Sequence, residues 1–268
     1  MNNAPLHTGN SHTETSRRSF LAASAAGAAT IAAISKPLHA GAYAAGSDLL
    51  KVGLIGCGGR GSGAAEQALN ADSATELVAI GDIFQDATVG VRRSMTRMFN
   101  KDGMPPRVTV SDDTCYSGFD NYLRVIEKSD VVLLATTPHF RPQHLRAAIE
   151  AGKHVFCEKP VAVDAPGVRS VMESSALAKA NGLALVSGLC WRYHPGKVAT
   201  FEQIQNGAIG DIVSMQCSYM SGGVWDPRRT RDKCDSEMEY QIRNWYYYTW
   251  LSGDFNVEQH IHSLDKMM

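Results

Sequence analysis

Two stretches of this sequence and one isolated carboxylate carry residues whose types and intervals suit a specific chemistry. Gly56-Cys57-Gly58-Gly59-Arg60-Gly61 has the spacing G-x-G-x-x-G, Asp82 follows further on, and Glu158-Lys159-Pro160 closes a later apolar run. Glycines at that spacing suit a tight turn at Gly56, a close approach of backbone to a pyrophosphate at Gly58, and close helix–strand packing at Gly61. Gly59 and Arg60 fall in the same cradle, and the first amides of the following helix would face the phosphates. An acidic residue about 20 positions on is the expected ribose ligand. Asp82 would accept hydrogen bonds from the ribose hydroxyls and repel a 2′-phosphate. No Arg or Lys immediately follows it, which favours NAD over NADP. Lys159 could exchange a proton with a substrate hydroxyl beside the nicotinamide ring. A solvated ion pair at a strand end would use Glu158 and Lys159 equally well.

These residues need a strand before each and a helix after the first. Residues 50–55 form a short apolar run bounded by glycine, as a buried parallel strand does, and Ala64, Ala65, Ala68 and Leu69 then recur at helical spacing. Further strands are expected over 76–80, 130–135, 154–157 and 183–187. Helices are expected over 86–100 and 119–128, on a face made by Leu145, Ala148 and Ile149 that stops at Gly152, and on one made by Val168, Val171, Met172 and Ser175. Residues 101–113, with Pro105-Pro106, read as a loop. Strands alternating with helices imply right-handed crossovers and a doubly wound parallel sheet of the α/β Rossmann class over residues 48–188. Ligands sit outside the carboxyl ends of such strands, so Thr136, Thr137 and Pro138 should edge the cofactor. An ordinary strand-ending turn fits them too. From 189 to 268 the texture changes to longer loops and more aromatics. The β-branched alternation at 212–217 suggests a partial α+β domain with an open antiparallel sheet.

The 268 residues carry a net charge of −1 and 44% apolar content, which gives material for a sizeable core and no electrostatic footprint for nucleic acid. Arg228, Arg229 and Arg231, the densest basic cluster, read as a solvated loop. Residues 1–47 read as a targeting segment and linker: Ser16-Arg17-Arg18-Ser19-Phe20-Leu21 is a twin-arginine signature, and 21–34 is an Ala-rich apolar run. That run is shorter than the ~20 residues of a spanning helix, so no stable membrane anchor is expected. Export to the periplasm is the reading, and a tail with a chance arginine pair is the plainer alternative. Six cysteines show no metal-ligand spacing, and buried free thiols rather than a disulfide framework are expected. No metal site is expected, since only His260 and His262 come close and nothing else supplies ligand spacing.

With the glycine fingerprint, the acidic strand end and the E-K-P motif, the mature sequence resembles the glucose–fructose oxidoreductase, inositol dehydrogenase and rhizopine-catabolism (Gfo/Idh/MocA) family. That family's later D-x-G-x-H-x-x-D pattern is similar to Glu258-Gln259-His260-Ile261-His262-Ser263-Leu264-Asp265. The resemblance implies catalysis by Lys159, proton relay by His262 with help from Glu258, and a cis Lys159–Pro160 bond. It implies an interdomain hinge at Trp191-Arg192-Tyr193-His194-Pro195, with Arg192 lining the substrate pocket. Trp245, in the run Trp245-Tyr246-Tyr247-Tyr248, could stack on a sugar ring. Core packing would explain these aromatics equally well. Two departures stand out: Glu258 replaces the usual aspartate, and His260 the usual glycine. The family's second domain carries a large antiparallel sheet that packs in oligomers. This chain stops just past the histidine motif, so a truncated frame is expected, with a homo-oligomer when full length.

The leading expectation is an NAD-dependent oxidoreductase acting on a sugar, cyclitol or polyol hydroxyl. Scarce free NAD outside the cytoplasm motivates a second: an NAD-dependent glycosidase that oxidises and re-reduces its sugar with no net redox change. A dinucleotide-binding module without turnover is the third.

Overall fold

The computed structural model describes residues 49–268; the targeting segment expected over 1–47 lies outside the described residues. Apolar β-rich runs between helices give six parallel strands: β1 (Leu50–Ile55), β2 (Thr75–Asp82), β3 (Cys115–Ser117), β4 (Val131–Leu134), β5 (His154–Cys157) and β6 (Leu185–Ser187). They lie in the order β3-β2-β1-β4-β5-β6, the doubly wound dinucleotide-binding arrangement. Leu54 of β1 pairs with Ile80 of β2 on one side and Leu133 of β4 on the other, so the order reverses between β1 and β4. A crevice opens at such a reversal, outside the carboxyl ends of the strands.

Helices α1 (Gly59–Ala71), α2 (Gln85–Phe99), α3 (Asn121–Lys128), α4 (Arg141–Glu150) and α5 (Ala165–Ala180) make the crossovers. One core layer joins Val52, Leu54 and Ile80 with Ala64, Ala65 and Leu69 of α1 and Met95 of α2. The other joins Ile55, Val132 and Leu134 with Val125, Leu145, Ala148 and Ile149. Strand and helix bounds fall close to those the hydrophobic pattern predicts. The three-residue β3 is an addition, too short to carry a period. A second difference concerns α5. Its inward face is Val171, Ser174 and Ala178, while Val168, Met172 and Ser175 face solvent. Small residues let α5 approach α4 closely, and this outweighs the larger apolar stripe beside them.

The remaining residues fold as short helices and coil: α6 (Pro195–Gln205), α7 (Glu237–Arg243), α8 (Thr249–Ser252), α9 (Asp254–Glu258) and α10 (Ile261–Leu264). The antiparallel strand expected at 212–217 is absent among the described residues, where this segment is coil with Val213 96% exposed. A strand needs a neighbour for its amides and carbonyls, and no described segment pairs with this one. Residues 49–268 belong to a single compact unit. No helix among them is long and apolar enough to cross a membrane.

Candidate active site

Two kinds of glycine build the cradle at the end of β1. Gly56 has φ +98°, and a Cβ there would stand 2.5 Å from the backbone of Ala135 and Thr136 at the end of β4. A Cβ on Gly61 would stand 1.8 Å from the Gly56 carbonyl oxygen. Both are therefore fixed by the fold itself. Gly58 and Gly59 have nothing within 4 Å of an added Cβ, so their missing side chains leave open space outside the helix. Gly58 is the N-cap of α1, makes no side-chain cap, and the first turn holds no acidic residue. The unsatisfied amides of that turn face an uncluttered surface, which suits an anion.

Asp82 ends β2, and its carboxylate accepts hydrogen bonds from the Cys57 amide at 2.7 Å and the Phe84 amide at 2.9 Å. It thus stitches the glycine turn to its neighbouring strand. Burial raises its pKa, against the lowering effect of those two amides. Burial also pushes the Cys57 thiol well up, with the Asp82 charge adding to it.

From β4, Ala135, Thr136 and Thr137 line the crevice, whereas Pro138 is buried and opens the 3-10 turn Pro138–Phe140. Thr136 Oγ1 is 3.4 Å from Nδ1 of His144, which stacks on Tyr122 at 4.2 Å. Burial depresses the His144 pKa to about 4. Thr137 Oγ1 is buried and unpartnered. From β5, Glu158 is buried and pairs with Arg60 of the glycine loop at 2.9 Å. The Lys159–Pro160 bond is cis, and the Pro160 carbonyl accepts a 2.6 Å hydrogen bond from buried Arg141. Burial lowers the Arg141 pKa, with Cys157, Glu158 and Glu258 opposing.

Lys159 and Glu258, 99 positions apart, meet here. Lys159 Nζ donates to Glu258 Oε1 at 2.6 Å and to the Glu258 carbonyl at 2.5 Å, with the two side chains only 14% and 8% exposed. Glu258 Oε2 has no partner. The chain after 189 forms the opposite wall of a cavity of about 540 Å³, contributing Trp225, Arg228, Arg229, Arg243, Trp245 and Gln259. Arg243 lies over the Phe84 ring at 3.7 Å and forks onto Asp86 at 3.1 and 3.2 Å; Arg229 also reaches Asp86, and both arginines share Glu239. Of the arginine cluster expected as a solvated loop, Arg228 and Arg231 are exposed, while Arg229 is partly buried in these pairings. Arg231 pairs with Glu237 away from the cavity.

The structure therefore gathers Gly56, Gly58, Gly59, Arg60, Asp82, Thr136, Thr137, Glu158, Lys159, Trp245 and Glu258 around one cavity, with Gly61 packed behind the turn. Besides Gly61 and the buried Pro138, two more expected residues, Arg192 and His262, lie off its wall. Arg192 pairs with Asp265 at 2.7 Å. His262 is half-buried with Nδ1 unpartnered, and its pKa is lowered by burial, then by Lys159 and Lys266, with Asp265 opposing. His260 caps α10, so the two histidines sit on helical rather than extended backbone and diverge. Arg141, His144, Trp225, Arg243 and Gln259 escaped the sequence reading. Only the placement of Arg141 and His144 just after a strand end hinted at them.

Sheet order and glycine cradle define a dinucleotide-binding protein of the Rossmann class. Residues 50–189 match the oxidoreductase family with an NAD-binding Rossmann fold, Gfo/Idh/MocA, and the chain belongs to that family. It is 28% identical over 185 residues to inositol 2-dehydrogenase of Serratia proteamaculans, covering 68% of this chain and 49% of that protein. It is 25% identical over 176 residues to a glycosyl hydrolase family 109 protein of Bacteroides fragilis, covering 65% and 35%. The chain spans about half the length of the curated dehydrogenases it matches. Biliverdin reductase from Synechocystis sp. PCC 6803, solved with biliverdin and NADP+, shares the fold with a TM-score of 0.58 at 20% identity, covering 81% of this chain and 57% of that one.

Proposed function

We propose that this protein is an exported NAD-dependent oxidoreductase that moves hydride between a cyclitol, sugar or polyol hydroxyl and nicotinamide. The observation that carries this reading is the buried Lys159–Glu258 pair on the wall of the cavity that also holds the open glycine face. The cavity fits a dinucleotide on the protein's own terms. Gly58 and Gly59 leave room that no packing demand explains, and Thr137 Oγ1 and Glu258 Oε2 are buried polar atoms awaiting partners.

The amides of α1 and Arg60 would hold the pyrophosphate, and Asp82 the adenosine ribose. Bound NAD supplies the hydride acceptor. Lys159, as the neutral amine, would take the hydroxyl proton as the C–H bond is broken, and Glu258 would orient Nζ and stabilise the ammonium so formed through two hydrogen bonds. His262, whose Nδ1 is unpartnered and which feels the Lys159 charge, would pass the proton outward. Trp245 and Trp225 line the cavity, where an indole would stack on the apolar side of a sugar. The twin-arginine signature supports export.

Similarity to a glycosyl hydrolase supports a second reading, transient oxidation with no net redox change. One assay separates the two. Purified protein given NAD and myo-inositol should accumulate NADH. Cleavage of a glycoside without NADH would instead establish the hydrolase. Neither product, from a protein that binds NAD, would leave a binding module.

A further inference from the structure

Away from the cavity, a thiol, an imidazole and a carboxamide stand in line. Cys217 Sγ is 3.5 Å from Nε2 of His260, and Nδ1 of the same ring is 3.4 Å from Asn256 Oδ1. None of the three lines the dinucleotide cavity. The coil bearing Cys217 is pinned to α9 and α10 on both sides of the contact. Ser263 Oγ donates to the Ser218 carbonyl at 3.2 Å, and the Tyr219 ring meets the Phe255 ring edge-on at 5.9 Å. If the Asn256 amide oxygen accepts from Nδ1–H, the proton on that nitrogen is fixed and the Nε2 lone pair is left facing the thiol. A nucleophile within reach of a base that a third group orients is the arrangement of an activated thiol.

We propose that Cys217, His260 and Asn256 form a second nucleophilic centre, at which Cys217 undergoes exchange with small-molecule disulfides. His260 Nε2 takes the Sγ proton, and the sulfur attacks one sulfur of the disulfide. A new S–S bond forms as the old one breaks, and the departing thiolate recovers the proton from His260. Electrons balance as in any thiol–disulfide exchange. The other cysteines set the contrast. Cys57 and Cys157 are buried, the Cys157 thiol is pushed up to about 11 by burial, and Cys115 packs against the core. Cys190 is the exposed thiol, Cys234 is half-buried like Cys217, and among the described residues Cys217 alone is hydrogen-bonded to a histidine. This centre is independent of the oxidoreductase reading and needs no turnover to be tested.

The test exposes the full chain to limiting cystamine and reads each cysteine by peptide mass. With His260 placed to take the Sγ proton as the sulfur attacks, the expected advantage of Cys217 over the more exposed Cys190 is about tenfold. His260→Gln and Asn256→Ala should each erase most of that ratio. Labelling of Cys57 and Cys157 in the same digest identifies a variant that has merely unfolded. In that event the wild-type ratio and the exposed Asn256→Ala site decide. A Cys217 rate no greater than that of Cys190, or one unchanged in a folded His260→Gln protein, overturns the proposal.

Discussion

The two halves of the described chain are built on different physics. Residues 50–188 bury two apolar layers against a parallel sheet, and side chains such as Asp82 and Asn100 tie their loops to it. Beyond 189 the buried apolar residues are Ile242 and Leu251, alongside buried Asn244, Ser252, Glu258 and Ser263. That half is held by ion pairs and by aromatic contacts such as Trp225 with Trp245, Tyr246 and Tyr247. The first half is a scaffold whose shape the hydrophobic effect dictates. The second is a polar wall whose position depends on charges facing their partners across the cavity. The site lies between them, so Lys159 comes from the rigid side and its carboxylate from the polar side.

The largest effect expected from breaking this division is chemical. Lys159→Met should lower kcat by about 10²–10⁴-fold, the range of a positioned proton-transfer group, while NAD affinity is kept. Steady-state kinetics beside calorimetric binding check this, and equal loss of both would place Lys159 in binding instead. Next comes the scaffold. Gly61→Val forces a Cβ into the Gly56 carbonyl, and overpacking of backbone on backbone should cost about 3 kcal/mol or more in urea unfolding.

Acid should find the scaffold through His144. Its imidazole titrates near 6.5 when unfolded and about 4 when folded, so between those values the unfolded chain holds the extra proton. Stability therefore falls as pH drops from 6.5 towards 4, by about 3 kcal/mol across the window. His144→Phe should flatten that slope in pH-dependent thermal melts. The smallest effect belongs to the polar wall. Asp86 is half-exposed, so Asp86→Asn should cost no more than about 1 kcal/mol. It should nonetheless speed NAD release and make the release rate less sensitive to salt, as stopped-flow fluorescence would record.

Legibility in the sequence follows the same division. The glycine cradle, Asp82 and Lys159 sit at strand ends, where apolar runs and turns announce them locally. The family resemblance added Glu258 and His262. Arg243 and Trp225 had no such signal, because their placement depends on contacts made across the fold, such as Arg243 over Phe84. The segment 212–217 misled for a related reason: alternation marks a residue set able to pair, and pairing needs a second strand. The inward face of α5 turned on small residues, which hydrophobicity alone ranks low.

The most direct test uses the two kinds of glycine. Gly58 meets nothing within 4 Å, so a side chain there should leave the fold untouched and fill only the space held for a pyrophosphate. NAD titrated by calorimetry into wild type and Gly58→Leu should bind the first and bind the second at least about 100-fold more weakly, a loss of about 2.7 kcal/mol, with both proteins melting at the same temperature. Equal affinity for NAD in the two proteins would contradict the account at its centre.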